Sequence, residues 1–193
     1  MTAARHGPDH ALVAVILDQV TTAPARLGHT RLVAVDGPAG SGKTTLAAAL
    51  CREAIVRGLD TADFHLDDVY DGWDTDFDEL ATRVISQVLA PLTRAHPARW
   101  QRYDWTAGRF DGWQTLAAPD LLVLEGCGAG ARNMTAYTSV LVWVEAARGT
   151  RIERGVARDG AQVLPDWLAW MDHEAAHFAA HETQERADIQ IQT

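Results

Sequence analysis

RLVAVDGPAGSGKTT, residues 31–45, is a short valine-rich run that breaks at a glycine and continues as a helix-forming stretch. Its first six residues read as a buried strand. From Gly37 the pattern GxxxxGK[ST] is complete: Gly37, Pro38, Ala39, Gly40, Ser41, Gly42, Lys43 and Thr44, with Thr45 in the turn beyond. Each residue type has a task. Glycines let backbone N–H groups curl around phosphate oxygens with no Cβ in the way. The following helix points its positive N-terminus at the same anion. The lysine reaches the β and γ phosphates, and the Thr44 hydroxyl is offered to Mg2+. The strand before and the helix after are the context such a loop requires. We therefore expect residues 37–45 to bind a nucleotide together with Mg2+.

Composition supports the same reading. The chain has 33 Ala and 16 Arg but a single Lys, Lys43, which suggests a position where Arg will not serve. Its 193 residues carry 26 acidic and 17 basic side chains, a formal charge of -9. A non-specific nucleic-acid binder needs a basic surface, so that class is set aside, although a local nucleotide site is not. Two cysteines, Cys51 and Cys127, form neither a disulfide framework nor a CxxC metal pair. The opening MTAARHGPDH has no apolar run behind a basic segment, and no stretch is long enough to span a membrane. A cytoplasmic protein is the expectation.

Outward from the loop, strands alternate with helices. Residues 10–22 read as a helix, and residues 44–58 as a second one closed by Gly58. Residues 63–67 (DFHLD) read as a second strand before an acidic, aromatic loop. Residues 77–92 suit a helix ended by Pro91. Residues 96–119 have no clean period. LLVL at 121–124 and VLVWV at 140–144 are continuously apolar, as buried parallel strands are. Residues 150–159 form an Arg-bearing helix, 166–185 a helix, and 187–191 a closing strand. The expectation is a single α/β domain over 1–193, with a mostly parallel sheet of about five strands and helices on both faces. A lid would lie over roughly 148–163 and an acceptor-binding segment over roughly 67–115.

Further groups suit phosphate chemistry. Glu125 ends the LLVL strand, where a carboxylate would help Thr44 hold Mg2+. Asp67 and Asp68 follow the second strand, and one of them would take the proton of an attacking hydroxyl. Arg151, Arg154 and Arg158, at spacings of three and four, share one helix face. With no acidic partner on that face, they suit a lid that stabilises charge in transfer.

Taken together these segments resemble the uridine kinase/phosphoribulokinase family of P-loop kinases, nearest the uridine–cytidine kinase branch. The family's D-S-F-Y resembles Asp67-Asp68-Val69-Tyr70, and its Y-D-F resembles Tyr103-Asp104-Trp105. Its E-G-I resembles Glu125-Gly126-Cys127, and its lid resembles residues 150–159. The resemblance implies a P-loop kinase fold with Asp67 as general base, Tyr70 lining the acceptor site, and Tyr103 and Trp105 stacking on a planar acceptor. It also implies an ATP- and Mg2+-dependent transfer to a hydroxyl, most simply the 5′-hydroxyl of a nucleoside. Two departures bear on the acceptor. Asp68 replaces the family's serine, and the stretch Thr106-Ala107-Gly108-Arg109 has no histidine where the family places one shortly after its Y-D-F. Arg109 would favour another hydrogen-bond pattern. A kinase for a sugar, a vitamin precursor or an antibiotic therefore stays open, as do a nucleotide-dependent switch and a homo-oligomer.

His173-Glu174-Ala175-Ala176-His177 spells HExxH, with His181 continuing the stripe. Alone this is a zinc-protease motif. Its place at the edge of a phosphate-binding fold argues against a second catalytic cleft, and metal binding by the histidine row stays open.

Overall fold

Three continuously apolar runs become neighbouring parallel strands, as their composition requires. The computed structural model describes residues 8–193. The reading of residues 1–7 as free of a signal sequence lies outside them. Strand β1 is Arg31–Asp36, β2 Thr61–His65, β5 Leu121–Glu125, β6 Val140–Glu145 and β7 Ile189–Gln192. They form one five-stranded sheet in the order β2-β5-β1-β6-β7, and every pair is parallel.

The sheet's two faces separate by strict alternation. Leu32 and Ala34 of β1, Leu122 and Leu124 of β5 and Leu141 of β6 face one core. Val33, Val35, Leu121, Val123, Val140, Val142 and Val144 face the other. Helices α1 (His10–Thr22) and α2 (Lys43–Val56) cover the second face through Ile16, Leu17, Val20, Leu46 and Leu50. The first face is covered by α3 (Phe77–Val84), by α4 (Ala90–Thr93) and by Trp170 of α6 (Leu164–His181). Helix α5 (Arg148–Asp159) leads into α6, and α7 (Thr183–Arg186) leads into β7.

Three expectations are corrected. The second strand runs 61–65 rather than 63–67, because the chain tightens into a 3-10 turn over Leu66–Asp68. Pro91 does not end its helix. A π-helical stretch, Ile85–Leu89, widens the backbone before it, and the last turn runs on to Thr93. A wider turn relieves the clash of the proline ring with the preceding carbonyls. Residues 96–119 hold a β-hairpin, β3 (Ala98–Asp104) with β4 (Arg109–Leu116). A bulge at Gln101/Arg102 breaks its alternation, and most of its residues are exposed on both faces, so no period of two marks it.

The strand ends that carry the loops are fixed by a fully buried carboxylate. Asp36 Oδ1 accepts the Gly37 and Gly128 amides at 2.7 and 3.0 Å, and Oδ2 accepts Gly130 at 2.7 Å. Asp36→Asn keeps the shape but turns an NH2 group toward an N–H donor. We expect a loss of about 2 kcal/mol, read as a fall in melting temperature of roughly 4–8 °C. An unchanged melting temperature would show that the three amides do not need a carboxylate.

Candidate functional site

The phosphate loop forms where β1 ends and α2 begins, and its glycines are required sterically. Gly37 has φ +138°, and a Cβ there would lie 2.1 Å from the Val144 carbonyl oxygen. Lys43 is buried, and its ammonium donates to the Gly37 and Pro38 carbonyls at 2.8 and 3.0 Å. Burial opposes that charge, but Cys127 and the Glu125, Glu174 and Asp36 carboxylates outweigh it and raise the Lys43 pKa. Asp36 itself is pushed up to about 6 by burial, against its three amide donors.

The groups expected at the metal position meet. Thr44 Oγ1, in the first turn of α2, donates to Glu125 Oε1 at 3.0 Å. Thr45 follows it on the exposed side of the same turn. The structure adds a residue the sequence reading missed. His65, at the end of β2, contacts the same Glu125 oxygen through Nδ1 at 2.5 Å and Asp63 Oδ2 through Nε2 at 2.9 Å. The hydrogen bond to Glu125 outweighs desolvation and lifts the His65 pKa to about 9. The register His65↔Glu125 between β2 and β5 brings them together.

Asp67 lies in the turn just beyond. Among the described residues no group hydrogen-bonds to its carboxylate. Its residue surface is exposed, yet desolvation by the surrounding protein, with the Glu125 charge, raises its pKa, while Lys43, Arg158 and His65 pull the other way. Its neighbour Asp68 pairs with Arg102 of β3 at 2.8 Å, so the extra charge in this loop anchors the hairpin. The Trp105 indole N–H donates to the Asp67 carbonyl at 3.0 Å. Trp105 is 45% exposed and meets Trp73 and Tyr103 edge to face, with centroids 5.9 and 5.4 Å away. These rings make an open aromatic wall beside Asp67. Arg109 lies exposed at the start of β4, opposite Asp104 in register.

Tyr70 is not on that wall. It is buried, its hydroxyl donates to the Cys127 carbonyl at 2.9 Å, and its ring packs on Trp170. The expected row of free arginines is also corrected. Arg151 is mostly buried and donates to Glu174 Oε1 at 3.0 Å and to the Ala146 carbonyl at 3.2 Å. Arg154 lies on the loop, donating to the Gly40 carbonyl at 3.1 Å and to Thr193 Oγ1 at 3.0 Å. Arg158 is held by the adjacent Asp159 at 2.7 and 2.9 Å, over the Trp167 ring. The partners come from α6, from the phosphate loop, from Thr193 beyond β7 and from the helix end, which a one-face count leaves out. Of the three, Arg158 is the one whose charge bears on both Asp67 and Glu125.

The HExxH segment does not assemble a metal centre. Glu174 turns to the phosphate loop, where Oε2 accepts the Ala39 amide at 2.8 Å. His177 stacks between Phe77 and His181, with centroids 4.3 and 4.2 Å away, and burial pulls its pKa down to about 3. Among the described residues no group of three His, Cys, Asp or Glu side chains could hold a metal ion. No helix there is long and apolar enough to cross a membrane.

No family model matches the chain. By sequence it is similar to the urease accessory protein UreG of Mycobacterium tuberculosis (strain H37Rv), at 34% identity over 148 residues. UreG of Mycobacterium ulcerans matches at 35% over 120 residues, 61% of this chain and 53% of that one. The first match covers 69% of this chain and 64% of the relative's length, so the chain spans less than two thirds of it. By structure it is similar to a possible uridine kinase from Bacillus stearothermophilus, with TM-score 0.68 and 17% identity. That match covers 93% of this chain and 96% of the other. A protein provisionally described as a fructose transport system kinase, from Silicibacter sp. TM1040, gives TM-score 0.67 at 17% identity, over 93% and 97%. A parallel five-stranded sheet with the phosphate loop between β1 and α2, matched along nearly its whole length by these two structures, establishes the P-loop NTPase fold.

Proposed function

We propose that the protein transfers the γ-phosphoryl group of ATP to a hydroxyl of a small molecule, most simply the 5′-hydroxyl of a nucleoside. The observation that carries the reading is the Asp67 carboxylate. It has no hydrogen-bond partner among the described residues, it feels the charges of Lys43, Glu125 and Arg158, and it stands beside an open aromatic wall. In the proposed chemistry Lys43 and the backbone amides of Gly40 and of residues 42–45 bind the β and γ phosphates. Thr44 and Glu125 would hold Mg2+, which when bound there neutralises phosphate charge. Asp67 accepts the acceptor's hydroxyl proton, Trp105 and Tyr103 flank the acceptor, and Arg158 releases Asp159 to reach the transferring group. Arg154 contributes charge from its seat on the loop. Arg109 would contact a polar edge of the acceptor.

A second reading rests on the likeness to urease accessory proteins, which is closer in identity than that to the solved kinases. In it the chain hydrolyses nucleotide slowly and signals to a protein partner.

Release of ADP, coupled to a dehydrogenase and measured with ATP and Mg2+ against pools of ribonucleosides, deoxynucleosides, sugars and vitamin precursors, separates the two. Stimulation by a small-molecule pool, absent in Lys43→Ala, is the expected result. Release that responds only to a protein partner would favour the switch. With the acceptor in hand, Asp67→Asn should lower kcat about 10²–10⁴-fold and leave the ATP Kd within a few-fold. Asp67 must be ionised to accept a proton and its pKa is raised, so wild-type kcat should fall on acidification, at a higher pH than a free aspartate would give. A pH profile that is flat there would remove Asp67 as the base. Trp105→Ala should raise the acceptor KM about tenfold with ATP binding unchanged. An unchanged acceptor KM would move the acceptor away from the hairpin.

A further inference from the structure

Glu174 has no task in the proposed chemistry, yet its side chain is 1% exposed and both carboxylate oxygens are engaged. A buried carboxylate persists only when its partners repay its lost hydration. Those partners come from three separate elements. The Ala39 amide of the phosphate loop donates to Oε2 at 2.8 Å, and the Cys127 thiol, beyond β5, donates to the same oxygen at 3.2 Å. Arg151 of α5 donates to Oε1 at 3.0 Å. We infer that Glu174 and Arg151 are a positioning pair that couples loading of the phosphate loop to the placement of the lid helix α5. The inference rests on the nucleotide reading above.

Two contacts make α5 a lever rather than a loose lid. Gly40, at φ +79°, lies so close to the first turns of α5 that a Cβ would be 2.7 Å from the Arg151 carbonyl oxygen. Gly155, further along, lies against the Trp167 ring of α6, where a Cβ would be 2.4 Å from it. The helix is therefore pressed to the phosphate loop near Arg151 and to α6 at Gly155. Its far end carries Arg158, about 10 Å beyond Arg151 at 1.5 Å per residue. There Arg158 is held by Asp159, and Asp159 in turn accepts the Trp167 indole N–H at 2.9 Å. A shift of the loop at Ala39 or Gly40 reaches Arg151 through Glu174 and through direct contact. A rigid helix passes it on to Arg158. Because the Glu174 oxygens bond outside their own helix, α6 serves as the fixed support.

Hydrogen–deuterium exchange with the non-hydrolysable analogue AMP-PNP and Mg2+ tests the coupling without relying on turnover. In the wild type, the analogue should slow exchange about tenfold over residues 37–45 and over residues 148–159. In Glu174→Gln the 37–45 protection should remain, and that over 148–159 should fall to roughly twofold or less. The same variant should lower kcat with KM for ATP little changed, a split that simple loss of folded protein does not produce. Removing one member of a buried pair can itself unfold a protein. The double variant Glu174→Gln/Arg151→Gln, which removes both charges, is measured beside it, and thermal melts report the folded fraction. Full protection of 148–159 in both variants, with 37–45 protected, would overturn the coupling alone. Absence of protection over 37–45 in the wild type would overturn the nucleotide reading and the coupling with it.

Discussion

The Asp36 carboxylate is the constraint on which the phosphate site depends. It is fully buried, and it accepts amides from two different loops. One amide belongs to the first residue of the phosphate loop, and two belong to the turn after β5. The distance between those loops is thereby set by one small rigid group. Lys43 follows from the first loop and Glu125 ends the strand before the second, so their separation is inherited from Asp36. On the opposite side Gly37 is pressed against the Val144 carbonyl, with no room for a Cβ. The loop is thus confined between β5 and β6, and its amides are ordered by the sheet before any phosphate arrives. Such order is what lets backbone dipoles act on an anion without paying for reorganisation.

The disposition of acidic groups explains how a chain of charge -9 presents an anion site. Around the cleft, Asp67 apart, carboxylates are turned to partners. Asp36 serves backbone amides, Glu174 serves Arg151 and Ala39, Asp68 serves Arg102, and Asp71 serves Arg83 and Thr75. Asp104 closes the hairpin turn by accepting the amides of Thr106 and Ala107. A paired carboxylate adds little repulsion at a distance, because its field is largely cancelled by its partner. What remains near the loop, beside the lone Asp67, is Lys43, the N-terminus of α2, and Arg154 lying on the Gly40 carbonyl. Net charge describes the protein's whole surface, whereas the site is set by these local pairs.

The parts of the site legible in the sequence are those whose reason is local. A glycine-rich loop needs its glycines in order, a buried parallel strand must be apolar throughout, and a strand-end Glu beside a glycine follows from both. Lys43, Thr44 and Glu125 come from such reasoning, and the structure brings them together. The missed residues owe their positions to distant partners. Asp36 reads as the last residue of a strand, and its three amides lie as far as 94 positions away. His65 matters through its register with Glu125, 60 positions on. Glu174 was hidden inside a motif that spells a metal site, because one-dimensional spacing shows which helix face a side chain takes and not what faces it. Likeness to an acceptor-lining tyrosine points Tyr70 to the acceptor, whereas the glycine at 126 leaves the gap its hydroxyl fills. A Cβ on Gly126 would sit 2.6 Å from Leu66 and 3.2 Å from the Tyr70 hydroxyl. The hairpin escaped because its ladder is bulged and both faces are wet.

That hairpin also shows where variation in the acceptor is cheapest in free energy. A two-stranded ribbon is marginal alone in water, so β3 and β4 depend on docking. Trp100 packs edge-on against Phe64 at 4.9 Å, Arg102 reaches Asp68, and Trp105 reaches the Asp67 carbonyl. All three anchors lie on β2 or the turn that follows it, which also carries Asp67. The wall proposed to hold the acceptor is therefore fixed to the segment proposed to accept its proton, and neither belongs to the phosphate loop. Exchanging Trp73, Trp105 or Arg109 would reshape that wall and leave the sheet untouched. Exchanging Gly37 or Asp36 would disturb the sheet ends themselves. On this reading the nucleotide site is bound to the stability of the whole domain. On the same reading the acceptor would be chosen by an outer layer that sequence can alter without unfolding the domain, and the departures at Asp68 and Arg109 fall in that layer.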